Sequence, residues 1–591
     1  MLRAFFSRLF SRKNAGSPSG ERLAMQQVHS IKEARAIPSF SQIRQLPHIL
    51  SLQERKLFLG GVLTFCLGIA LLLLGSLSLL FTAVPREGGT LTEGMLGYPQ
   101  LINPLYADAN TVDRELTALV YSGLLTYDPT IQSLAPDLAE SYSLSEDEKT
   151  YTVVLKQGVT WQDGELFSAY DVMFTYAALQ NSAYGSPLLE AYRNITVTQV
   201  DDRTITFALA ESYAAFPELL TVGILPAHLW EEISPANAQL AALNLKPVGT
   251  GPYVLEKTSK DSRGIIRSIS LQANENYLGR RPYLDGIVMK FYSNTVDLVQ
   301  ALQTKRIDAT AALSLTETLT LREDSSLSTT ALPLSQYVGA FFNTKKAPMS
   351  EVDMRKALTL ALNIPQITAD ATGNLGVPSG FALPGFPATA ASVQDVQTAG
   401  SLLDGLGWTL NETGKRVKDE AELTLIITTA ERPELVRAAE SIAAAWESMG
   451  ITVTVSSLAN TDIATALQEK TYDVLVAAEQ YGIIADPYPF WHSSGKGANG
   501  LNMSQFSTTA TDTAVSTLRT STSPEKRTEA FAALNQELID NMPAVFLFQN
   551  VLPLAHTVDI LGISSQSIPN AQTRWTLESS WYRRTGLAWK L

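Results

Sequence analysis

Leu57 to Val84 is one uninterrupted apolar run of 28 residues whose only ionisable side chain is the thiol of Cys66. About 20 apolar residues carry a helix across a bilayer core, so this run predicts a membrane-spanning helix with some tilt. After Pro85-Arg86-Glu87-Gly88-Gly89 the texture changes to short mixed segments. β-Rich runs at Tyr151–Leu155, Thr204–Leu209, Ile265–Leu271, Leu423–Thr428 and Ile451–Val455 predict strands, and Tyr472–Ala477 predicts another. Helical patterns occupy Ala169–Leu179, Glu351–Leu362, Glu434–Met449 and Pro524–Asp540. Ser523 is placed to cap the last of these, with Pro524 at its first position. Strand, helix and strand across Leu423–Val455 predict a β-α-β crossover, hence a parallel or mixed sheet. No fixed-period repeat is visible, which disfavours solenoids and propellers. The pattern predicts a mixed α/β, α+β fold with more than one lobe.

Charge sharpens this picture. The chain of 591 residues carries a formal −13, but residues 1–56 hold ten Lys/Arg against three acids. That segment is +7, so the rest is −20. Basic residues before the apolar run predict a cytoplasmic N-terminus and an extracytoplasmic body. The run is about twice the length of a signal-peptide core, and Phe81-Thr82-Ala83 lacks the small-residue pattern of a cleavage site. Cys66 sits mid-run behind Phe65, a poor match to a lipidated N-terminus. An uncleaved anchor contacting the bilayer through Leu57–Val84 is therefore expected. Leu2, Phe5, Phe6 and Leu9 follow helical spacing, with Arg8, Arg12 and Lys13 set for anionic headgroups. A frayed basic leader is the equal alternative, and Ile37–Ser51 reads as a linker. One cysteine excludes an intramolecular disulfide, and the acidic balance argues against nucleic acid as a partner.

Catalytic signatures are sparse. HExxH, GxSxG and P-loop patterns are missing, and Gly249-Thr250-Gly251 is half a dinucleotide fingerprint broken by Pro252. His228, His492 and His556 are scattered, so neither a metal site nor a cofactor is expected. One segment is dense in binding-type residues: Gln480-Tyr481-Gly482-Ile483-Ile484-Ala485-Asp486-Pro487, continuing through Tyr488, Phe490, Trp491 and His492. It follows an apolar strand and is punctuated by Gly and Pro. That predicts a loop at a strand's C-terminal end, where open α/β sheets bind ligands.

Several strings occur in family order: Tyr151 to Gly164 with Ser168 to Val172, Ile224-Leu-Pro-Ala-His-Leu-Trp230, and Pro247-Val-Gly-Thr-Gly-Pro-Tyr253. Asn274 to Tyr277, Arg281 to Asp285, Phe342 to Pro348 with Met354 to Leu358, and the Asp486-Pro487 loop follow. With these the chain resembles a family 5 extracellular solute-binding protein, the peptide/nickel-type receptor subunit of ABC importers. Asp163-Gly164 and Gly249–Gly251 read as architectural, a tight turn and a stretch needing unusual backbone freedom. The resemblance implies a two-lobed clamp behind the anchor. Lobe I would comprise 88–125, 247–335 and 545–591, with an inserted subdomain at 126–246, and lobe II would cover 336–544. Crossings near 335 and 545 would form the hinge.

The resemblance further implies a monomeric receptor, not an enzyme, that binds a peptide or peptide-like solute and delivers it to ABC permease subunits. A sensor or extracytoplasmic chaperone on the same scaffold is the alternative, and an exported hydrolase is third. Position within the motifs nominates Tyr98, Asn343, Gln480, Tyr481, Asp486, Trp491, His492 and Asn502 for ligand contact. Many peptide-binding members pair an aspartate, four residues before the proline of the Asp-Pro loop, with the ligand's α-ammonium. Here that position is Ile483. Either Asp486 or another acid replaces it, or the ligand has no free α-amine there, because an unpaired buried cation costs several kcal/mol.

Overall fold

The computed structural model describes residues 51–589. The expectations for the basic leader and most of the linker fall outside those residues. The chain divides into two units, 1–84 with 587–591, and 85–586.

The first unit is dominated by the helix Leu52–Leu80. Its start lies five residues before the apolar run because Ser51 closes a cap: its amide and hydroxyl both donate to the Glu54 carboxylate, at 3.1 and 2.7 Å. Its end comes before Val84, where Phe81–Arg86 is extended. Thr82, Val84 and Pro85 disfavour another helical turn. The window Gln53–Leu72 has mean hydropathy 1.7 and none of it is buried. Among the described residues it is the one helix long and apolar enough to cross a membrane. The Thr64 hydroxyl donates back to the Gly60 carbonyl at 2.8 Å, so this polar group is satisfied within the helix.

The second unit is organised by an eleven-stranded mixed sheet. One end carries Thr424–Ala430, parallel to both Thr452–Leu458 and Val474–Gln480. The helix Pro433–Glu447 makes the first crossover, as the strand-helix-strand spacing requires. The other end carries Thr90–Leu96 parallel to Gly286–Tyr292, followed by the antiparallel strands Ile266–Ala273 and Tyr253–Lys260. A separate four-stranded antiparallel sheet, Ala139–Leu144, Thr150–Leu155, Thr204–Leu209 and Ile195–Gln199, lies within the stretch expected to be an insertion. Ser523 accepts the Lys526 amide and opens the helix Pro524–Asn541, as expected of its capping role.

Two long antiparallel strands, Leu327–Phe342 and Ala544–Thr557, join the halves of the large sheet. Their register slips between Pro333 and Tyr337. There Asn550 donates to the Gln336 side chain at 2.5 Å and Gln549 donates to the Leu334 carbonyl at 2.9 Å. The apolar core changes at the same place. Leu332 and Leu554 belong to one core with Leu91, Leu116 and Trp161. Val338 and Phe548 belong to another with Leu425, Ile442 and Trp446. The first strand thus passes from one core to the other between Leu332 and Val338, and the second between Phe548 and Leu554, with Val545 paired to Ala340 inside the second core.

The Pro247–Tyr253 string has an architectural role whose cause differs from the expectation. Neither Gly249 nor Gly251 has a positive φ. A Cβ on Gly249 would instead lie 2.0 Å from the Val120 carbonyl oxygen, and one on Gly251 would lie 2.7 Å from the Val120 carbonyl carbon. The string runs against the end of the helix Thr111–Val120, where the Gly251 amide caps the Val120 carbonyl at 2.8 Å. Close backbone approach, not backbone freedom, selects glycine. Gly249→Ala should lower stability by about 1–3 kcal/mol, the usual cost of overpacking, read as a lower urea midpoint with unchanged slope. Gly164, by contrast, has φ +97 in a tight turn beside Asp163, which suits the turn reading.

Candidate functional site

The strand Val474–Gln480 delivers the nominated loop to the junction between the two cores. Gln480 donates to the carbonyls of Ser335, at the register slip, and of Pro569, from the first lobe, at 3.2 and 3.0 Å. The Tyr481 amide also donates to the Ser335 carbonyl, at 2.8 Å. Its hydroxyl donates to Glu479 at 2.7 Å. Burial pushes Glu479 up to about 8, partly opposed by the Tyr481 and Trp491 donors. Ile483 and Ile484 then pack on the first core, although the strand before them belongs to the second lobe.

Facing this loop is a segment no motif singled out, Glu211 to Leu219. The Glu218 carboxylate accepts the Ile484 amide, with the Ile483 amide also directed at it. A Cβ on Gly482 would lie 2.0 Å from Glu218 Oε2, so glycine is needed for the carboxylate to seat. Burial pushes Glu218 up to about 7; the two amides pull it down, and the Asp486 charge raises it. Nearby, the Ala214 amide donates to the Arg519 carbonyl at 2.8 Å. The Arg519 guanidinium lies over the rings of Tyr213, at 5.5 Å, and Tyr488, at 4.4 Å. It also reaches Asp486 at 3.7 Å. Glu148 accepts the Thr522 amide at 3.1 Å. The seam is therefore built from Glu148 and the Glu211–Leu219 segment on one side and the Asp-Pro loop with its neighbouring helix ends on the other.

Of the nominated residues, Gln480 and Asp486 come together at this seam, whereas the Tyr481 ring is buried in the second lobe beside Tyr337 and Phe490. Asp486 accepts the Tyr488 amide at 3.1 Å; burial raises its carboxyl while Arg519 draws it back. Tyr98 is half-buried on the first lobe, its hydroxyl accepting from Arg267 at 3.0 Å. Trp491, Asn343 and Asn502 serve the interior of the second lobe, and His492 lies half-buried at its surface. Trp491 is fully buried among Phe341, Phe381 and Phe546. His492 stacks on Tyr488 at 4.0 Å and accepts the Ser494 amide at Nδ1, 3.1 Å away. Asn343 holds the Lys470 and Tyr472 carbonyls at 3.0 and 3.1 Å. Asn502 holds the Phe506 carbonyl at 2.7 Å. The sequence missed Glu218, Tyr213, Arg519 and Glu148, and no local signal marks them, since each gains its role from a partner hundreds of residues away or on the opposite lobe.

The profile of the bacterial extracellular solute-binding proteins, family 5, middle region, matches residues 133–502. The chain belongs to this family. Among family relatives, the dipeptide-binding protein of Escherichia coli is 27% identical over 403 residues, 64% of this chain and 73% of its own length. A Brucella ovis protein, provisionally named an ABC transporter peptide-binding protein, is 29% identical over 345 residues, 56% of this chain. The match spans 63% of that relative's length. The ABC transporter substrate-binding protein CtaP of Listeria monocytogenes has the same fold, with TM-score 0.70 and 22% identity over 84% of this chain and all of its own. The two-lobed family 5 architecture accounts for the separation of the core around Leu91 and Trp161 from that around Leu425 and Trp446. No group of three or more His, Cys, Asp or Glu side chains suited to a metal ion occurs among the described residues.

Proposed function

We propose that this family 5 protein is a membrane-tethered extracytoplasmic receptor that binds a peptide or peptide-like solute between its lobes and passes it to an ABC permease. The observation that carries this reading is the seam. The loop from Gln480 to Asp486 crosses from the second core to pack on the first, so a solute held there would contact both lobes. The register slip at Pro333–Tyr337, opposite Asn550, supplies a hinge in each of two crossing strands. A clamp of this kind closes only through a ligand's extra affinity for the closed state. The names of the E. coli and Brucella relatives favour peptides as the solute class. The apolar helix Leu52–Leu80 favours tethering, with the +7 leader inside and the −20 body outside.

A thermal-shift screen against mixed peptide pools tests the reading. A ligand at 100 times its dissociation constant adds about 2.7 kcal/mol, so at least one pool should raise the melting temperature. No shift with any pool contradicts peptide binding. A narrower expectation concerns Ile483, whose side chain meets the first core and offers no charge. N-acetylated and free forms of one peptide should bind about equally. A tenfold preference for the free amine, about 1.4 kcal/mol, would show that another acid recognises it.

A further inference from the structure

Glu218 is a carboxylate of the first lobe whose hydrogen-bond donors, the amides of Ile483 and Ile484, belong to the second. It seats in a notch that a side chain at position 482 would close, since a Cβ on Gly482 would lie 2.0 Å from Glu218 Oε2. The charged groups around it come from three elements. Asp486, on the same loop, faces it directly. Arg519, ending the helix Thr509–Thr520, is turned toward Asp486 at 3.7 Å and sandwiched by Tyr213 and Tyr488. Arg527, on the helix Pro524–Asn541, donates to the Ala485 carbonyl at 3.0 Å and also lies near Asp486. Both cations are thus engaged elsewhere, and of these charges it is that of Asp486 that acts on Glu218.

Separating the lobes would return this carboxylate to water, because its partners leave with the second lobe. Closing them removes its hydration and supplies two amides, which a neutral carboxyl also accepts through its carbonyl oxygen. We propose that the clamp closes with uptake of a proton at Glu218, which bridges the lobes as a neutral latch on the Ile483–Ile484 amides. This holds whatever solute the cleft takes.

The sign follows from linkage. In the seam as described, burial holds the group at about 7 against its ordinary 4.5, so a closed state of this geometry binds more protons in that window than one with Glu218 returned to water. Closure is favoured as pH falls through about 7 and gains nothing further below about 4.5. Within the window the closed-to-open ratio changes by up to tenfold per pH unit.

Spin labels on Ser143→Cys and Thr513→Cys, with Cys66→Ser to remove the native thiol, would report the distance across the seam in the full chain in detergent. Both labelled positions are exposed. Without added ligand, pulsed dipolar distances should show a larger closed fraction at pH 5 than at pH 8. Glu218→Gln, neutral at all pH, should hold the closed fraction high and flat, and Asp486→Asn should keep the pH dependence. A closed fraction unchanged from pH 8 to 5 in the parent would overturn the proposal. So would a pH dependence that survives in Glu218→Gln, or a Glu218→Gln variant that opens at every pH.

Discussion

Arg574→Met should destabilise the first lobe by about 3–5 kcal/mol, the usual cost of breaking a buried ion pair from one side. Arg574 is 1% exposed, and its guanidinium reaches Glu93 Oε1 and Glu115 Oε2 at 2.7 Å each. It lies 4.1 Å from the Trp575 ring, whose indole N–H also donates to Glu115. Glu93 sits on the strand Thr90–Leu96, Glu115 on the helix Thr111–Val120, and Arg574 on the turn Ala571–Thr576. One cation therefore pins the C-terminal segment to the start of the body. Without it, two adjacent carboxylates would stay buried with no counter-charge. Burial already pushes Glu115 up to about 6, with Arg574 pulling down and Glu93 pushing up.

The pH dependence of that loss has a definite sign. Removing the guanidinium raises the folded-state value of Glu115 further above its unfolded value. The extra cost is then absent where the carboxyl is protonated in both states and grows as pH rises through the folded value. Urea midpoints should show a deficit that is smallest near pH 4.5 and largest above pH 7. A loss below about 1 kcal/mol at neutral pH would show that the cluster adds little.

The second large effect is expected in the other lobe. Trp446, on the helix Pro433–Glu447, is fully buried, stacks on Phe342 at 6.4 Å and donates to the Leu358 carbonyl at 2.9 Å. Trp446→Ala removes the ring and leaves that carbonyl without its partner, for about 3–5 kcal/mol. Trp446→Phe should lose less, since most of the packing remains. Denaturant titrations of the two variants separate ring volume from hydrogen bond. Equal losses would place the whole effect in the hydrogen bond.

What the sequence made legible follows its periodicities. The strands Thr204–Leu209 and Tyr151–Leu155, the helix Ala169–Gln180, and the parallel pair around Pro433–Glu447 are each specified by local pattern. The loop after Val474–Gln480 was visible because a strand end, glycine and proline mark it. The seam opposite was not. Phe216-Pro217-Glu218-Leu219 is a one-turn helix among loops, and nothing within ten residues shows that Glu218 will meet Ile484. Aromatic and amide residues are ambiguous in sequence. Trp491 fills a core and Asn343 and Asn502 tie off loop carbonyls, roles that a large ring and a buried amide serve as readily as ligand contact. The same ambiguity touched Gly249, where a crowded helix end, invisible in one dimension, selects the glycine.

Ile483 connects the sequence to the function. In sequence it is a departure from a motif; in the structure it is an apolar contact across the lobes, beside an acid that the facing lobe supplies. The crystal structure of the protein grown with a mixed peptide library tests the central claim most directly. Continuous density for an extended peptide between the lobes, in contact with the Gln480–Asp486 loop and with first-lobe residues, is the predicted result. Closed lobes with no peptide density at the seam, or peptide bound outside it, would contradict the account.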